Sequence, residues 1–270
     1  MASPGIDPKK VFAPRYQRLM EQAQGATEAM LEEQRSPAGL SALVWSLYQT
    51  AEREIAEAQA VAVQRAAEGK GCAPACAKGC FYCCHQVVGT VAPEVLVLAD
   101  WIRANFSPEE ITALRERIEG YRQTLEGLSG HARLKPLARC PMLVDGICSV
   151  HEARPLVCRA SNSTDVKVCI AAYESGQNPA PPPFLHTQRS AGRSVRLGMR
   201  LGLARKKMPG DIVELTLAMG IALDHPDSAV RWLAGEDVFA EAEGPMGRSA
   251  EVAEILEAQD RAAEIPKTEP

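Results

Sequence analysis

A chain of 270 residues that is 46% hydrophobic, 24% charged and formally −4 at pH 7 is long enough to bury one sizeable core and is neither strongly basic nor strongly acidic. It holds no run of about 18 uncharged apolar residues, and its opening MASPGIDPKKVFAPRY lacks a charged stretch followed by an apolar one, so the sequence predicts a cytoplasmic protein without a transmembrane segment. Aromatic residues make up only 5%, while Ala, Leu, Glu and Arg abound; straight-chain residues lose little rotamer freedom in a helix, and the expected class is mainly α with little β structure.

In chain order, a first helix is predicted from about Tyr16 to Glu33, joined by Gln34 to Ser36 to a second that it should pair with antiparallel. Ser36 followed by Pro37 is a helix-start signal. Leu40, Leu43, Val44, Leu47, Tyr48, Ala51 and Ile55 then keep the three-and-four spacing of one buried stripe until Gly69. Residues 1–70 therefore read as a helical hairpin leading into CAPACAKGCFYCCH, residues 72–85.

Pro93 should open a helix running through Ile102. Ser107-Pro108-Glu109-Glu110 has the form of a capping box for another, with Ile111, Leu114, Ile118, Tyr121 and Leu125 on one face. A second thiol block follows in CPMLVDGICSVHEARPLVCRASNSTDVKVC, where Asp145-Gly146 between short apolar runs predicts a tight hairpin turn presenting Cys140 and Cys148. Residues 71–175 thus read as a loop-rich cysteine domain against which short helices pack.

Over 176–235, the four prolines between Asn178 and Pro183 suggest a rigid linker. Helices are expected near Arg189, at Asp211, whose carboxylate would cap IVELTLAMGIAL, and over Ala229 to Leu233. The segment His186 to Lys207 carries seven Arg and Lys and no acid, which suits an acidic protein partner or pairing with the chain's own acidic helices. An acidic chain overall, with no aromatic interleaving for base stacking, argues against nucleic acid. Gly198 and Gly202 point to close helix packing on that segment's other side. From Glu236 onward the chain is rich in Glu, Ala, Gly and Pro and lacks a wide apolar face, so residues 236–270 are expected to be a mobile tail.

The chemistry lies in the nine cysteines. In a reducing compartment they read as metal ligands rather than disulfides. Collecting that many soft, negatively charged thiolates would cost heavy repulsion unless cations neutralised them. Cys76, Cys80 and Cys83 have the C-x3-C-x2-C spacing with which radical SAM enzymes hold a cubane, but that reading needs a strand-and-helix barrel around the motif. Here a long helix is predicted before it and further helices after it. No carboxylate pair, Ser-His-Asp order, phosphate-cradling glycine loop or nucleotide fingerprint is visible, so no catalytic residue is assigned.

The whole constellation is more specific. C-x3-C-x2-C-C at Cys76, Cys80, Cys83 and Cys84, C-P-x-L-x4-C from Cys140 to Cys148, R-P-x-x-C-R from Arg154 to Arg159 and a last thiol at Cys169 resemble the YkgJ-type cysteine-cluster family, described as a zinc- or iron-chelating domain. The match covers about residues 70–175. Cys72 is an additional thiol, and His151 stands where the family often has tyrosine. The resemblance implies metal bound through Cys76, Cys80, Cys83, Cys84, Cys140, Cys148, Cys158 and Cys169, with Cys72, His85, His151, Arg154 and Arg159 as further ligands or supports. One or two sites of zinc, iron or a 4Fe–4S cluster would use such ligands. A metal module or accessory factor is the favoured function. The alternative, suggested by the related flagellin lysine methylases, is an iron–sulfur enzyme modifying a protein or small molecule.

Overall fold

The fold was described from a computed structural model, over residues 13–128, 132–133, 139–176, 183–242, 244 and 250–264. It is mainly helical. Helix α1 (Pro14–Glu33) and α2 (Pro37–Ala67) come first, followed by a 3-10 turn over Tyr82–His85, strand β1 (Gly89–Val91), α3 (Ala92–Asn105) and α4 (Pro108–Thr124). A two-residue hairpin, β2 (Leu143–Val144) and β3 (Ile147–Cys148), then leads to the short helices α5 (Leu156–Ala160) and α6 (Val166–Glu174). The remainder is α7 (His186–Arg205), β4 (Ile212–Glu214), α8 (Leu215–Asp224), α9 (Ser228–Leu233), a 3-10 turn over Ala240–Ala242, and α10 (Glu251–Glu264).

Local signals place most of these. Ser36 Oγ accepts the Gly39 N–H at 3.1 Å, and every residue of the predicted α2 stripe is buried. The box at α4 closes in both directions, Glu110 N–H to Ser107 Oγ and Ser107 N–H to Glu110 Oε2. Asp145 and Gly146 have φ of 49° and 76°, the left-handed pair that a two-residue hairpin turn requires.

Helix α7 runs through the centre, touching α1, α2, α5 and α10. Its contact with α1 is the most extensive in the molecule, and glycine makes it possible. A Cβ at Gly198 would lie 2.1 Å from the Met20 carbonyl oxygen, and one at Gly202 2.7 Å from that of Gln24. The hairpin of α1 and α2 is present, fastened by Arg15 to Glu54 and Glu57, yet α1 packs chiefly on α7. Most of the core is one cluster shared by α2, α3, α7, α8 and α9. Among the described residues no helix is long and apolar enough to cross a membrane.

Two expectations are corrected. The cap of α8 is Glu214, which accepts the Leu217 N–H at 2.7 Å, rather than Asp211, because Ile212–Glu214 is drawn into antiparallel pairing with Gly89–Val91. The tail is not wholly loose: α10 buries Ile255 against Met20, Leu197 and Leu201. In the basic segment most of α7 is buried, and part of its charge pairs with acids of the chain itself, as one of the two readings had it. Arg193 and Arg200 meet Glu251, Arg205 meets Asp260, and Lys206 meets Glu32. All of the expected proline linker except Pro183 lies outside the described residues.

Candidate metal centre

The two thiol blocks meet in space although α3 and α4 separate them in sequence. The Cys140 N–H donates to the Cys84 carbonyl at 2.7 Å, and the Ala75 N–H to that of Ser163, also at 2.7 Å. The first bond ties the 3-10 turn carrying Cys83 and Cys84 to the start of the second block. The second ties the loop carrying Cys76 to the segment between α5 and α6. All nine cysteines are free thiols.

Two groupings follow from which thiols act on one another. Cys158, near the middle of α5, has its pKa pushed well up by burial and further by Cys140, Cys83 and Cys148. Burial likewise raises Cys140, to about 12, with Cys148, Glu214 and Cys83 adding to it. Cys148 is raised by burial and by Cys83 and held back by Arg154. Cys83, Cys140, Cys148 and Cys158 are therefore within electrostatic reach of one another, although Cys83 is exposed and the other three are half-buried. In the other grouping, Cys76 is raised by burial and by Cys80, Cys83 and Cys169, while the Ser163 N–H, 3.2 Å from its sulfur, opposes the rise. Cys83 belongs to both, and its pKa is raised chiefly by the thiol of Cys84 beside it. Cys72 lies exposed past the end of α2. Among the described residues no three His, Cys, Asp or Glu side chains stand in metal-ligating geometry.

The histidines and arginines divide into distinct roles. His85 is buried in an aromatic group with Phe81, Tyr82 and Tyr173, its ring 4.8 Å from that of Tyr173 and its Nδ1 3.2 Å from the Phe81 carbonyl oxygen. Burial lowers its pKa, favouring the neutral ring. This group joins α6, which bears Cys169, to the turn bearing Cys83 and Cys84. His151 is exposed, with Nδ1 3.0 Å from Arg154 Nη1. Arg154 is the cation acting on the thiols of Cys83 and Cys148. Arg159 is a clamp instead. Its buried guanidinium lies 4.0 Å from the centre of the Tyr48 ring, pairs with Glu52 and donates to the carbonyls of Arg154 and Glu152.

Two buried carboxylates beside the thiols escaped the sequence reading. Glu94, fully buried at the start of α3, accepts the Thr90 hydroxyl at 2.7 Å and the Leu156 N–H at 2.6 Å, so it holds the first turn of the helix that carries Cys158. Glu214 accepts the Tyr121 hydroxyl at 3.0 Å in addition to the Leu217 N–H, and burial raises its pKa. Each acts on a thiol of the second block, Glu94 on Cys158 and Glu214 on Cys140. In sequence Glu94 is merely an acid in a first helical turn, because its partner lies in the other block.

The structure is mainly helical and sets the two thiol blocks side by side, with their cysteines exposed or half-buried. Comparison with family models, with curated proteins and with solved structures finds no match to the chain.

Proposed function

We propose that the chain is a cysteine-based metal module that binds zinc or iron, the latter as ions or as an iron–sulfur cluster. Cys83, Cys140, Cys148 and Cys158 would form an inner site, and Cys76, Cys80, Cys84 and Cys169 an outer one. The observation that carries this reading is the meeting of the two thiol blocks, where the Cys140 N–H bonds the Cys84 carbonyl at 2.7 Å and Cys83 lies within electrostatic reach of the second block's thiols. Four thiols beside the buried Glu94 and Glu214 cannot all ionise in that space without a cation; a divalent metal or a cluster would supply it, displacing the protons. The motif resemblance to the YkgJ-type family and a reducing cytoplasmic setting belong to the same reading. Zinc in a closed set of four thiolates would build structure without turnover, whereas a cubane would add redox chemistry.

The radical SAM alternative would use Cys76, Cys80 and Cys83 alone and would need a barrel. The described strands form only two two-stranded sheets.

Purification without oxygen, with metal, acid-labile sulfide and absorbance measured on the full chain, tests the proposal. Bound zinc or iron is expected, and Cys158→Ser should reduce its content as severely as Cys80→Ser does. Metal-free protein with full helicity and freely titrating thiols would refute the reading. Metal content insensitive to Cys158, together with reductive cleavage of SAM to 5′-deoxyadenosine, would replace it with the enzyme.

A further inference from the structure

A second site lies on the far side of α5. Val157, Ala160 and Ser161 form one wall of a cavity of about 270 Å³, and the N-terminal half of α7 with Phe184 forms the other. The two helices meet closely here: a Cβ on Gly192 would lie 2.5 Å from that of Ala160. Into this space α7 presents Arg189, Arg193 and Arg196, with His186 and Ser190 alongside, and none of the described residues that line it is acidic.

The positions i, i+4 and i+7 put the three guanidiniums on one face of the helix. Like charges so placed repel, and the chain offsets only part of that repulsion. Arg193 pairs with Glu251 at 2.6 Å, and Arg196 donates to the Gly89 carbonyl at 2.9 Å. Among the described residues neither Arg189 nor Arg196 has a carboxylate within ion-pair distance. The Arg189 guanidinium lies 3.9 Å from the centre of the Phe184 ring, which orients it while leaving its N–H groups available. Partial burial of its guanidinium, and then the neighbouring Arg193 and Arg196, disfavour its charged form.

We propose that this cavity binds the phosphoryl group of a small soluble phosphate ester or diphosphate. Two guanidiniums with no carboxylate in ion-pair distance among the described residues match the double charge of a phosphoryl group better than the single charge of a carboxylate, and their planar forks suit its oxygens. The volume suits a metabolite rather than a macromolecule. The site is independent of the metal reading, although its wall residues Val157 and Ala160 flank Cys158.

Calorimetric titration of the full chain at low salt, with pyrophosphate as the probe and malonate as a dicarboxylate control, tests the proposal. Pyrophosphate is expected to bind with a Kd of about 1 mM or tighter and malonate at least about tenfold more weakly. Arg189 is exposed and can be replaced without disturbing the core, so Arg189→Gln should weaken pyrophosphate by about tenfold or more with metal content unchanged. Phe184→Ala, which releases Arg189, should cause a smaller loss. Absence of pyrophosphate binding, equal binding by Arg189→Gln, or equal binding of malonate would overturn the proposal. So would capture by phosphatidic acid vesicles without binding of soluble pyrophosphate, because it would move the site to a membrane headgroup.

Discussion

The contact between α1 and α7 and the loop carrying Cys72 to Cys84 represent two ways of fixing a chain. In the first, apolar side chains are fully buried and glycines let two backbones approach until one extra carbon would overlap a carbonyl oxygen. In the second, nearly every residue is exposed or half-buried. Position there depends on a few long-range hydrogen bonds and one aromatic group. Close packing specifies the helical region without help, whereas the thiol loop has too little apolar surface to do the same. That contrast is what the proposed metal would resolve: binding energy at the thiols would replace the missing core.

The comparison can be broken most severely on the helical side. Gly198→Val places a branched side chain against the Met20 carbonyl and should destabilise the fold by about 3 kcal/mol, seen as a lowered urea midpoint, with the metal content of the remaining folded fraction unchanged. A midpoint equal to wild type would show that α1 and α7 are not so closely apposed. Glu94→Ala acts at the junction of the two regions. It strands the buried Leu156 N–H and should cost about 2 kcal/mol, with faster reaction of Cys158 towards a thiol reagent than in wild type. Unchanged thiol reactivity would remove Glu94 from the support of α5.

The smallest effect is expected at Glu214 and is visible as pH dependence. Its folded pKa is raised above 4.5, so the folded state holds the proton more tightly than the unfolded state. The resulting stabilisation is fully present below that value and is lost as pH rises from it through the folded pKa. Glu214→Gln should abolish this downward slope. A slope that persists in the variant would assign it to another group.

What could be read in the sequence was local. The α2 stripe, the Ser36 and Ser107 caps and the Asp145-Gly146 turn each have their cause within a few residues, and each stands where it was expected. The pairing of β1 with β4 joins segments from opposite halves of the chain and moved the cap of α8 from Asp211 to Glu214. The docking of α10 depends chiefly on one apolar residue, Ile255, meeting a groove built by α1 and α7. The cysteine motif named the thiols but not how the two blocks meet, which involves long-range bonds such as that from the Cys140 N–H to the Cys84 carbonyl. Glu94 and Glu214 gave no sequence signal because their meaning lies in partners distant along the chain.

That same backbone bond sets an order in time. Cys72 to Cys84 leave the ribosome before α3, α4 and the second block exist, and at about 5–20 residues per second the partners of Cys83 arrive on the order of ten seconds later. Throughout that interval the early thiols stand without the second block that they adjoin in the finished fold. The tie between the blocks is therefore a property of the finished chain, and a nascent chain that ends before Cys140 carries the first block's thiols untied.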